Sequence, residues 1–168
     1  MVQEEKSGDC YYAHDHSHHE GDCREHHDSE MMISHEEADI LFKLVRHNYL
    51  PVCQFVMGIS TEEEMKVVAL SPVLISHTND DINTVRERGK LLLALEQKGL
   101  VTLDYDIPLG SYDYGDYKKS PAFTYFIEMI NEGRTKEGFL FDTAELETGS
   151  IALTDLGKMI VGEIQQQR

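Results

Sequence analysis

Six histidines, His14, His16, His18, His19, His26 and His27, fall within fourteen residues, and Cys10 and Cys23 stand among and beside them. Imidazole nitrogen and thiolate sulfur are the ligands that zinc and nickel select, and zinc needs four of them at tetrahedral distances. The expected cofactor is therefore Zn or Ni, held by some of these eight side chains. Their spacing matches neither paired C-x2-C knuckles nor a C2H2 finger, so two arrangements stay open. One is a single defined site completed from the body of the chain, through His35 or His47. The other is looser binding at several places along an arm that is disordered without metal. A third reading leaves the histidines as a pH-sensitive charge alone.

Everything that could position these ligands begins near Ser34. Residues 1–33 hold nine Asp/Glu against two Lys/Arg and few apolar side chains, and residues 34–168 read as one folded domain. Net charge is −16 over 168 residues, and the body alone carries 22 acidic residues against 13 basic ones. Affinity for DNA comes largely from Lys and Arg neutralising phosphates, so a chain this acidic must gather its bases on one face or bind something other than nucleic acid. No stretch approaches the roughly 18 apolar residues of a membrane span. The polar, acidic N-terminus does not read as a signal peptide, so a cytoplasmic location is expected. Three cysteines in a reducing compartment read as thiols or ligands rather than a disulfide framework. Cys53, inside the apolar run Val52 to Met57, reads as a core residue.

Ser34 and Glu37 form a capping box, and Ile40, Leu41, Leu44 and Val45 follow at helical spacing, which predicts a first helix from about His35 to Asn48. Pro51 to Gly58 is apolar but too short to classify. Ser60 or Thr61 then reads as the cap of a second helix with Met65, Val68 and Ala69 inward, ending before Pro72. A third helix is expected from a Thr78 cap, with Ile82, Val85, Leu92 and Leu95 inward, Arg86, Arg88 and Lys90 in its middle, and Gly99 as a left-handed stop. Gly89 in its interior suggests a kink or close approach by another backbone. Leu100, Val101, Leu103 and Tyr105 read as a strand. Ser120, Pro121 and Gly133 bracket another helix, and Thr154 caps a last one with Leu156, Met159, Ile160 and Ile164 on one stripe.

The stretch Leu91-Leu-Leu-Ala-Leu-Glu-Gln-Lys-Gly-Leu-Val101 resembles the recognition helix and first wing strand of MarR-like winged-helix proteins, and Glu145-Leu-Glu-Thr-Gly-Ser-Ile-Ala-Leu-Thr-Asp-Leu-Gly157 resembles their second wing strand feeding a C-terminal helix. The resemblance implies an α+β fold: a mostly helical winged-helix domain with a small antiparallel sheet, a helical insertion at about residues 108–138, and the His/Cys-rich arm in front. It also implies a homodimer built on the terminal helix. Packing of that helix on its own domain is the alternative that periodicity alone allows.

Two function classes follow. The first is a winged-helix DNA-binding transcriptional regulator, metal-responsive through its arm, with Arg86, Arg88 and Lys90 exposed and facing DNA. The second is an acidic winged-helix module for protein interaction or metal handling that does not bind DNA. The hairpin acids Asp142, Glu145 and Glu147 favour the second, because a DNA-contacting wing wants Arg or Lys there. Nothing resembles a phosphate loop, a nucleophile elbow or an H-E-x-x-H helix, so no enzyme is expected. Asp104, Asp106, Asp113 and Asp116, interleaved with Tyr105, Tyr112, Tyr114 and Tyr117, read either as an acidic aromatic partner surface or as a solvated loop turning at Gly110 and Gly115.

Overall fold

The computed structural model describes residues 10–13 and 31–167. Two short strands, β1 (Cys10–Ala13) and β2 (Met31–Ser34), pair antiparallel ahead of α1 (His35–His47). The Ser34 hydroxyl accepts from Glu37 N, and the Glu37 carboxylate accepts from Ser34 N, so the capping box starts α1 where expected. α1 buries Ala38, Ile40, Leu41 and Leu44, and the chain leaves it through Asn48 at φ 64°.

The run from Tyr49 to Val73 is a long hairpin, β3 (Tyr49–Ile59) and β4 (Glu62–Val73). This corrects the expected second helix: the segment with Met65, Val68 and Ala69 is a strand, paired with β3 at Val56–Val68 and Met57–Val67. Helical spacing and strand alternation are both poorly determined over so few apolar positions. The backbone bonds offered by β3 decide between them.

α2 (Ile82–Gln97) follows, with Asp81 rather than Thr78 as its cap, the carboxylate accepting from Thr84 N. Gly99, at φ +74°, turns the chain directly into β5 (Val101–Asp104). A short helix, α3 (Gly115–Lys118), precedes α4 (Pro121–Gly133), which begins on the Ser120 hydroxyl with proline in its first turn. β6 (Thr143–Leu153) then pairs with both β3 and β5, and α5 (Asp155–Gln166) is capped by Thr154. The fold is α+β, and the four-stranded antiparallel sheet runs in the order β4-β3-β6-β5. Leu103 lies opposite Ile151, the pairing expected for the two strands on either side of the insertion.

Two clusters fill the core, and on β3 they take alternate residues and so opposite faces, Val52 in one and Cys53 and Phe55 in the other. In the first, Leu41, Leu44, Val52, Leu92, Leu95, Ile151 and Ile160 join α1, α2 and α5, and Tyr11 and Met31 of the terminal ladder pack against them. Phe55 organises the second, with ring centroids 5.2 Å from those of both Phe123 and Phe126. Cys53 sits there fully buried, and burial pushes its thiol up to about 12. It is a core residue, as its apolar surroundings in sequence predict.

Gly89 answers to a close approach. A methyl group placed on it would stand 2.9 Å from the Pro72 carbonyl oxygen, where β4 crosses α2. Replacing a helix-interior glycine by alanine ordinarily gains up to about 1 kcal/mol. Here that gain is opposed by a backbone clash of the kind that costs about 1–3 kcal/mol. Gly89→Ala is therefore expected to lower thermal stability slightly in a melting experiment; a clear rise would show that β4 is not held against the helix.

Candidate functional site

Three surfaces bear on function: the basic middle of α2, the His/Cys-rich segment, and the free end of the β3-β4 hairpin. On α2 the bases have separate environments. Arg88 is turned inward, its side chain only 18 % exposed, and it donates to Asp80 Oδ2 at 2.7 Å and to the Leu74 carbonyl at 2.6 Å. Asp80, 7 % exposed, also accepts from Ser76 N and His77 N. Burial by itself raises the Asp80 pKa, but the Arg88 and backbone donors together with the guanidinium charge outweigh it and hold the carboxyl below its ordinary value. Arg88 thus ties the loop before α2 to the helix. Arg86 is exposed and lies 5.7 Å over the Tyr125 ring of α4, and Lys90 is exposed and paired with Glu87 at 2.9 Å. The expectation that all three bases are exposed is corrected at Arg88, because a buried carboxylate needs its charge.

Of the proposed metal ligands, His14, His16, His18, His19, Cys23, His26 and His27 lie outside the described residues, and of Cys10 only the backbone in β1 is described. Among the described residues no group of three or more His, Cys, Asp or Glu is arranged to hold a metal ion. The ladder that flanks the segment is informative, however. Ala13 is paired with Met31 and Cys10 with Ser34, so the two described stretches on either side of residues 14–30 are held together at one place. That place is anchored. Ile33 is fully buried, the Tyr11 ring meets His35 edge-on at 5.1 Å, and Lys98 Nζ donates to the Met32 carbonyl and to both Glu37 carboxylate oxygens.

The Asp/Tyr segment resolves toward structure. Tyr117 is fully buried and its hydroxyl accepts from Ile75 N and donates to the Pro51 carbonyl, while the Tyr114 hydroxyl accepts from Leu109 N and donates to the Gly149 carbonyl. The rings of Tyr112, Tyr114 and Tyr117 pack on one another. Asp113 caps the turn at Gly115 N, and Asp104 does the same for Asp106 N. These tyrosines clamp the segment around residues 109–117 to the sheet.

At the hairpin the situation is reversed. Glu62 to Val68 of β4 are exposed throughout, including Met65, Val67 and Val68. Lys66 reaches across Gly58 of β3 to Glu145 of β6 at 2.7 Å, and Gln54 donates to Glu147 farther along the same face. Gly58 leaves room for the Thr143 hydroxyl beside it, which a methyl group there would meet at 2.5 Å. Asp142 closes the tip by accepting from the backbone and hydroxyl of Ser60; those bonds hold its carboxyl below the ordinary range. Sequence reading missed this surface because it assigned residues 61–71 to a helix, in which Met65, Val68 and Ala69 would have been buried. No helix of the described residues is long and apolar enough to cross a membrane. No protein-family model, curated protein or solved structure matches the chain.

Proposed function

We propose that the protein is an acidic interaction module of winged-helix type, working on a protein partner rather than DNA and handling Zn or Ni through its His/Cys-rich segment. The observation that carries this reading is the use made of the α2 bases. Arg88 neutralises Asp80 inside the fold, Lys90 pairs with Glu87, and Arg86 rests on Tyr125, while exposed apolar and acidic side chains collect on the β3-β4 hairpin. With net charge −16 behind it, one exposed arginine and one exposed lysine make a poor phosphate-binding face. The segment between α1 and α2 points the same way: it is the β3-β4 hairpin, where a helix-turn-helix reader would carry the helix that crosses the DNA backbone.

The regulator reading keeps one support: α2 runs through Gly99 into β5, which pairs with β6, as the likeness to MarR-like proteins implies. Fluorescence anisotropy with a mixed-sequence duplex at low salt separates the two. No saturable binding is expected. Binding whose log–log salt slope falls by about 1 on Arg86→Ala would instead place α2 on phosphates and restore the regulator.

A further inference from the structure

β4 is an outer strand of the sheet, and among the described residues nothing pairs with its free side. Its C-terminal end is covered where it crosses α2, but Glu62–Val68 are open on both faces, and Met65, Val67 and Val68 remain 51 %, 48 % and 47 % exposed. The ladder to β3 is regular over Lys66–Val68 and shifts register between Lys66 and Glu62, and on its free side the strand turns unpaired N–H and C=O groups outward. Folded proteins usually blunt such an edge by keeping it short or by throwing a charge over it. The opposite edge follows that rule, since β5 has only four residues. β4 is longer. Its one lysine is drawn back over the sheet to Glu145, and the charges left on the edge, Glu62, Glu63 and Glu64, oppose an acidic strand but not a basic one.

We infer that the Glu62–Val68 edge is the docking site for an extended, basic segment of a protein partner, which adds to the sheet as a fifth strand. Main-chain bonds supply affinity in this mode, and alternate side chains supply specificity. The inference rests on the protein-interaction reading above and names its surface. Charge selects the occupant. Glu62, Glu63 and Glu64 stand at one end of the edge; Glu63 and Glu64 also line an open concavity of about 470 Å³ on the sheet face, in which Glu145 is already paired with Lys66. A lysine or arginine of the incoming strand meets Glu63 or Glu64 there. Apolar residues farther along it meet Val67 on one face and Val68 on the other. A second copy of this chain is the poorer occupant, because it brings a further −16 of charge to the same place.

A synthetic peptide of alternating valine and lysine, and the same peptide N-methylated on alternate amides, test the proposal on the full chain. The methylated peptide keeps its charge and cannot pair along one edge. The unmodified peptide is expected to bind and to shift backbone amide resonances within Glu62–Val68. Methylation on the pairing edge is expected to weaken binding at least tenfold, and the surface variant Glu63→Lys/Glu64→Lys to weaken it comparably. Equal affinity for both peptides would reduce the effect to charge attraction and overturn strand addition. So would absence of binding. Resonance shifts confined to α5 or β1-β2 would sink the edge while sparing the protein-interaction reading, which the duplex titration tests separately. A concentration-dependent dimer in sedimentation, abolished by Val67→Lys, would overturn the basic partner in favour of a second copy.

Discussion

Arg88→Met is expected to destabilise the fold by about 3 kcal/mol, because truncating one partner of a buried ion pair leaves the other charge buried and uncompensated. Asp80 would keep its Ser76 and His77 amide bonds but lose the guanidinium, and the Leu74 carbonyl would lose a donor. The pH dependence should change with it. In the native protein the Asp80 pKa is lowered, so the unfolded chain takes up a proton more readily than the folded one. The pair's stabilisation is thus fully present above the ordinary aspartate value of about 4 and is lost as pH falls through the lower folded value. In the variant the guanidinium no longer lowers the Asp80 pKa and burial is opposed by the two amide bonds alone, so the pKa rises from its native value and acidification should cost less stability than in the native protein. Chemical denaturation at neutral pH and near pH 4 measures both effects. A variant as stable as the native protein, with the same acid sensitivity, would mean that Arg88 is free in solution and available to a ligand.

The second large effect concerns metal. Replacing residues 14–30 by a short turn that joins Ala13 to Met31 is expected to abolish Zn and Ni binding while leaving thermal stability close to native. The excision removes seven of the eight proposed ligands and leaves the β1-β2 ladder, Ile33 and the Lys98 contacts in place. Deleting Met1–Met32 should also abolish binding, but at a cost of about 1–3 kcal/mol, because Tyr11 and Met31, each partly buried, pack against the core. Native metal binding should weaken as pH falls below about 6.5, where imidazole protonates. Calorimetric titration of the three proteins decides it. Unchanged stoichiometry after excision would move the site onto the body.

What the sequence determined by itself was local. The starts of α1, α4 and α5 were legible because each is written in a few adjacent residues: the Ser34/Glu37 box, Ser120-Pro121, and Thr154 ahead of an apolar stripe. Gly99 marked the exit from α2 for the same reason, since a positive φ at that point favours glycine whatever surrounds it. Tertiary structure decided β4, whose apolar residues suit either period and whose state is set by hydrogen bonds to β3. It also decided Arg88, which in sequence is one of three similar bases on a helix and in the fold is the counter-charge of a carboxylate eight residues earlier. Exposure and pairing of that kind depend on which elements meet. The docking edge was invisible in sequence for the same reason: it exists only where the sheet ends.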